Sequence, residues 1–216
     1  MRVIRKGAEP SCLTRERMAK RRYDDLAKTC KEAIRNALAR DQGMLCCYCL
    51  GRIRPDESLM VIEHFVPQSD PVRGRSLELD WNNLLGSCNG SAGAPRSRQH
   101  CDRRKGDRTV SISPLDPRVR SEVRYLANGE VTSDSKTIAR DLNDTLNLNV
   151  SFLVRNRKAV LEAFCDAQER KKPGAWTAHA IDRWIEDLTS GAELLEYGEI
   201  VVQFLEKKRK QKERAG

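Results

Sequence analysis

The chain has 216 residues, 39% of them hydrophobic and 33% charged, with 40 Lys plus Arg against 31 Asp plus Glu. That size suits one compact domain with an appendage, or two small ones, built around a modest core. No apolar run approaches the roughly 20 residues of a membrane helix, and the basic opening MRVIRKGAEPSCLTRER lacks the apolar stretch of a secretion signal, so a cytoplasmic protein without membrane contact is expected.

The elements follow in chain order. Residues 14–41 read as one amphipathic helix: Tyr23, Leu26, Cys30, Ile34 and Leu38 recur at spacings of three and four, and Gly43 is the stop signal. Segment 44–108 differs in character. It has short apolar runs, many Gly, Pro, Asn and Ser residues and most of the Cys and His, the look of a small metal-stapled unit too poor in core to fold unaided. Residues 109–113 alternate like a strand, ended by Pro114-Leu-Asp-Pro117. Runs 123–126 and 130–132 flank Asn128-Gly129, a two-residue hairpin signal. From Lys136 the pattern is helical, with Leu146, Val150, Leu153, Val160, Leu161 and Phe164 on one face and a break at Pro173-Gly174. Trp184, Ile185, Leu188, Leu195, Val201, Phe204 and Leu205 line a final helical region interrupted near Gly191. The closing KKRKQKERAG reads as a basic, frayed tail.

The formal charge of +9 favours a polyanionic partner, because phosphate contacts release counterions. An inert basic surface would carry the same charge. Eight cysteines in a chain expected to be cytoplasmic are not expected to form disulfides. Cys12, Cys30 and Cys165 stand alone and read as small buried hydrophobes. The others cluster with His64 and His100. Cys46-Cys-Tyr-Cys49 is a C-x2-C knuckle, and two intervening residues let both sulfurs face one ion from a tight turn. Structural zinc needs a second pair, for which Cys88 and Cys101 are the candidates. Their insert, NGSAGAPRSRQH, can loop out, because closure cost grows slowly with length. His100 or Cys47 could replace Cys101 or Cys46. A redox pair is the alternative, but no βαβ pattern surrounds the knuckle.

The second signal is VIEHFVP at 61–67. An apolar strand delivers Glu63 and then His64, and Pro67 ends it. Successive strand residues face opposite ways, so the strand end must bend if both are to serve one site. DWNNL follows at 80–84, and CDRRKG at 101–106 opens a helical turn just after a zinc ligand.

This order, C-x2-C, then Glu-His, Asn-Leu, Cys, and Cys-Asp-x-x-Lys-Gly, resembles the HNH nuclease motif in its zinc-ribbon form. More narrowly, MRVIRKGAEP, EHFVPQS, WNNLLGSC, HCDRRKGD and LNLNVSFLVRNR look like the HNH component of Septu-type antiphage systems, which also occurs beside retrons. The resemblance implies an α+β fold: a zinc-stapled ββα-metal HNH core at 44–110, an N-terminal arm and helix at 1–43, and a hairpin plus mostly helical region at 111–216. It also implies a nuclease that hydrolyses phosphodiesters of DNA or RNA. His64 would be the general base, and Glu63 and Asp102 would ligate a catalytic Mg²⁺ or Mn²⁺ ion. Asn83, or its neighbour Asn82, would fix the loop and orient His64. Arg103, Arg104 and Lys105 would grip backbone phosphates. The implied partner subunit is an SMC/ABC-like ATPase. Two positions depart from the commoner pattern: Glu63 stands where Asp is usual, and Asp102 where Asn or His is frequent. Both keep oxygen ligands. Trp81 is expected to anchor the core beneath the site, and His179 to lie outside it. A non-catalytic zinc module binding nucleic acid, or an ATPase-binding adaptor, would keep the cysteines but needs no Glu63, His64 and Asp102 in these positions.

Overall fold

A computed structural model describes residues 1–171, 174 and 176–215. Helix α1 (Ser11–Met18) and helix α2 (Lys28–Asp41) occupy the stretch that reads in sequence as a single helix. The chain leaves the helix at Ala19 because Lys20 adopts a left-handed φ of 55°, which non-glycine residues visit only at some cost. The periodicity nevertheless holds in α2, where Cys30, Ile34, Ala37 and Leu38 are buried, each aliphatic side chain contributing roughly 1.5–3 kcal/mol of transfer free energy. Cys12 and Cys30 are bonded as a disulfide, with Cα atoms 5.8 Å apart. They are therefore not isolated thiols: the packing of α2 against α1 brings them together, a pairing that spacing alone could not reveal.

Strands β1 (Met60–His64) and β2 (Leu84–Cys88) form an antiparallel pair in which Met60 faces Cys88, Glu63 faces Leu85 and His64 faces Leu84. Between them lie the short helix α3 (Gly74–Leu77) and a 3-10 turn at Trp81–Asn83, where the Asn82 N–H is met by the Asp80 side chain (2.7 Å to Oδ1). Helix α4 (Cys101–Lys105) packs against β2 and ends at Gly106 with φ 54°. This helical turn falls where the sequence placed it.

Residues 109–113 form no strand. Their alternation survives as burial, Val110 and Ile112 inward, but Ser111 gives its N–H and hydroxyl to the Asp141 carboxylate (2.8 and 2.5 Å), and among the described residues no strand pairs with them. After α5 (Val119–Glu122), strands β3 (Arg124–Tyr125) and β4 (Val131–Thr132) make the expected hairpin. Its tip is one residue longer than the two-residue reading, since Leu126 donates to Glu130 O (2.8 Å) across three residues. Gly129 has φ 93°, and a Cβ there would lie 2.2 Å from Val154 O. Gly129→Ala is therefore expected to lower stability by more than ~1 kcal/mol, read as a drop in the thermal midpoint; an unchanged midpoint would contradict the docking of this tip on the following helix.

Helix α6 (Lys136–Arg140) runs into a π turn, Asp141–Thr145, and Leu146 then accepts from Cys101 N (2.9 Å), which sets the start of α4. Helices α7 (Ser151–Lys171), α8 (Ala178–Thr189) and α9 (Glu199–Ala215) share a second apolar cluster of Leu161, Ile181, Ile200, Val201 and Leu205. Pro173 lies outside the described residues, and the expected interruption near Gly191 is present, with φ 104°. The basic end is not frayed: α9 continues through it, with Arg209 bonded to Asp182 and Glu213. Trp81 is buried as expected, its Nε1 donating to Gly7 O (3.0 Å), and His179 is exposed. The chain is thus α+β, and no helix among the described residues is long and apolar enough to cross a membrane.

Candidate functional site

The knuckle is a tight turn closed by Cys46 N–H to Gly51 O (2.8 Å), with Gly51 N–H aimed at Cys49 Sγ (3.4 Å). Cys88 ends β2 and Cys101 begins α4, while the insert between them closes on itself through His100 N–H to Gly90 O (3.1 Å). The sulfurs of Cys46, Cys49, Cys88 and Cys101 all lie within 4.8 Å of one another. Two of the edges, Cys46 to Cys101 and Cys49 to Cys88, measure 3.8 Å. Ligands placed tetrahedrally about 2.3 Å from a zinc ion stand roughly 3.8 Å apart, so the sulfurs fit that ion. Burial, and then the neighbouring Cys46 sulfur, hold the Cys101 thiol well above its ordinary value; a cation is what would let the whole set ionise. Cys47 is buried next to Cys46 and is not one of the four. His100 stays beside it, with Nδ1 3.1 Å from Cys101 Sγ.

Residues 193–197 lie across the knuckle. Leu194 N–H reaches Gly43 O and Tyr197 N–H reaches Leu50 O, both at 3.0 Å. Arg52 returns the contact from the other side, its N–H to Glu196 Oε1 (2.9 Å) and its Nη2 to Leu194 O (2.7 Å).

The strand end carries the second group. Glu63 is buried, and its Oε1 accepts from Tyr48 Oη and Lys105 Nζ, both at 2.7 Å. Burial, and then the adjacent Asp102 carboxylate, push the Glu63 carboxyl well above the usual range, against the pull of Lys105. Two carboxylates facing one another in this way supply hard oxygen donors, which suit a divalent ion such as Mg²⁺. His64 is buried with its Nε2 3.0 Å from Glu78 O. A carbonyl only accepts, so Nε2 carries the proton and Nδ1 keeps its lone pair. Burial, and then the Lys105 ammonium, bring its pKa down to about 4, which keeps the ring neutral at pH 7. The edge of the ring meets Tyr23, centroids 4.6 Å apart. Periodicity placed Tyr23 in a helix interior; no sequence signal linked it to His64.

Asn83 is buried and clamps the connection between the strands. Its Oδ1 accepts from Val66 N (2.8 Å), and its Nδ2 donates to Val66 O and Leu77 O (both 3.1 Å). Asn82 is exposed. The fixing of the loop is thus visible, whereas the His64 ring is oriented by Glu78 O instead. Arg103 is exposed on α4. Arg104 is half-buried and donates to Arg96 O (3.0 Å). Lys105 does not face solvent: it is 2% exposed and bonds Glu63 Oε1 and His64 O (2.9 Å). One helical turn from Cys101 places it beneath β1, not beside Arg103. Removing one partner of a buried ion pair strands the other. Lys105→Met is accordingly expected to cost about 3–5 kcal/mol, measured as a lower urea midpoint at unchanged slope without added Mg²⁺. Wild-type stability in the variant would mean that Glu63 is neutral and needs no partner.

No protein-family model matches the chain. Over 138 residues it is 28% identical to a Vibrio cholerae serotype O1 biovar El Tor protein named "Retron Vc95 putative HNH endonuclease". The match takes in 61% of this chain and 65% of that protein, so the chain spans just under two-thirds of the length of the curated relative it matches.

Proposed function

We propose that the chain is a metal-dependent HNH-type endonuclease that hydrolyses nucleic-acid phosphodiester bonds. In this reading residues 44–110 are its zinc-stapled core, 1–43 its arm and 111–216 its hairpin and helical part. β1, β2 and α4 then correspond to the two strands and helix of the ββα-metal unit. The observation that carries the reading is the joint placement of Glu63, Asp102 and a neutral His64 with an uncommitted Nδ1. The name of the Vibrio cholerae relative points the same way.

Glu63 and Asp102 would hold the divalent ion, which when bound supplies neutralisation of the charge that builds on the phosphate and the leaving oxygen. His64 accepts a proton from the attacking water at Nδ1, while Glu78 O holds Nε2 and so the tautomer. Lys105 steadies the Glu63 carboxylate, and its bond to His64 O fixes the strand end. Asn83 keeps the loop after His64 in place. Arg103 remains free to meet a phosphate. Zinc at the four cysteines would tie α4 to β2 and so bring Asp102 to Glu63. An antiphage role, beside an SMC/ABC-like ATPase, draws on the motif resemblance and, for the retron setting, on the relative's name.

The test is a cleavage assay on DNA and RNA, single- and double-stranded, with Mg²⁺ or Mn²⁺, alone and with any SMC/ABC-like ATPase encoded beside it. Metal-dependent cutting is expected. Folded, zinc-loaded protein that cuts nothing in any combination would turn the reading toward a binding module.

A further inference from the structure

A cleft of about 290 Å³ opens beside the site, walled by Arg17, Lys20 and Arg21 on one side and Arg75 on the other, with Glu78 at its floor. Four cations therefore meet one lining carboxylate. Glu78 is 3% exposed and already engaged by Arg22 (3.2 Å) and Arg75. Arg17 is fixed by Glu9 and by Leu79 O (3.1 Å). Arg21 only grazes Glu16, at 4.0 Å, and Lys20 has no carboxylate partner among the described residues. Exposed pairs of this kind are worth about 0–1 kcal/mol, so an incoming phosphate displaces them at little cost. Glu78 links the cleft to His64: its backbone carbonyl takes Nε2 (3.0 Å), and Tyr23, whose N–H points to the Glu78 carboxylate (3.5 Å), packs on the ring. Lys31 lies over the far side of Tyr23, 5.0 Å from its centroid.

From this placement we infer that the turn between α1 and α2, with Arg75 of α3, is the surface that holds the nucleic-acid backbone next to the cleaved bond. The inference deepens the nuclease reading and rests on it for the nature of the polyanion. On α4 only Arg103 is exposed for this task, since Lys105 is buried and Arg104 is tied to the insert. Lys20 and Arg21 are the least committed cations of this cleft, whose lining residue Glu78 also holds the general base through its carbonyl.

The experiment titrates a fluorescein-labelled DNA duplex, its single strand and a single-stranded RNA with the full chain, without Mg²⁺, over a range of salt. Each phosphate contact contributes a factor of about eight near 0.1 M salt, and about 0.9 to the slope of log affinity against log salt. The double variant Lys20→Gln/Arg21→Gln is expected to weaken binding by on the order of tenfold or more and to flatten the slope by roughly two. Lys207→Gln/Lys210→Gln, with the same charge change on α9, is expected to bind like wild type. Equal losses in both double variants, or none in the cleft variant, would overturn the cleft assignment, as would wild type that binds no nucleic acid. Tighter binding to a polyglutamate peptide than to any nucleic acid would overturn it in favour of an acidic protein partner. Cleft-dependent binding without cleavage would keep the surface and sink the nuclease reading. Cleavage by wild type and cleft variant alike, with equal affinity, would do the reverse.

Discussion

Replacing Cys49 by serine is expected to abolish zinc binding at the four-cysteine site and to unfold the segment 44–108. Cys46, Cys49 and Cys101 are part of the main apolar core and Cys88 packs against it, so four unpaired thiols would be left inside that core without the ion, while the insert between Cys88 and Cys101 is polar. Structural zinc sites in small units supply apparent binding free energies of about 10–16 kcal/mol at pH 7, which matches or exceeds the 5–15 kcal/mol net stability of ordinary domains. A serine hydroxyl stays protonated and is a poor ligand for this ion. The measurement is zinc content by mass spectrometry together with far-ultraviolet circular dichroism, and prolonged chelation of the wild-type protein should give the same melted state. A Cys49→Ser protein that keeps its metal and its thermal transition would show that another donor completes the set, with His100, 3.1 Å from Cys101 Sγ, the first to examine.

His64→Ala is expected to cleave about 10²–10⁴-fold more slowly than wild type, the range that a positioned general base contributes, while zinc content stays the same. The side chain also packs on Tyr23 and bonds Glu78 O, so its loss should cost about 1–3 kcal/mol of stability. The comparison must therefore be run well below both melting temperatures. Supporting the chemical role over a packing role requires that kcat fall while nucleic-acid affinity, measured without Mg²⁺, stays within about twofold. Cleavage by the variant at the wild-type rate would remove His64 from the mechanism altogether.

The cysteine geometry was legible because metal ligation constrains spacing so tightly: two residues between Cys46 and Cys49 leave few other uses for the pair. The strand carrying Glu63 and His64, the turn at Gly43 and the short helix after Cys101 were readable for similar local reasons. What failed were inferences about which way a side chain turns and what it meets far along the chain. Residues 14–41 keep helical spacing through a real break, since hydrophobic periodicity records burial and not backbone continuity. Residues 109–113 keep a strand's alternation without a ladder partner. Lys105 looked like a surface cation by residue type, yet Glu63, 42 positions earlier, draws it inward. The Cys12–Cys30 bond and the Tyr23–His64 contact both depend on how α2 packs against α1, which no local pattern encodes.

The lid that residues 193–197 form over the knuckle also orders events in time. All four sulfur ligands have been synthesised once Cys101 is joined, yet Gly43 O, Leu50 O and Arg52 wait for partners lying about ninety residues further on. At the usual ~5–20 residues per second of synthesis, that interval lasts on the order of five to twenty seconds. During it the metal-binding unit exists without its cover. A nascent chain arrested before Glu193 would thus carry every candidate catalytic side chain on a knuckle still open to exchange. On this view the pace of synthesis sets when the knuckle receives its cover.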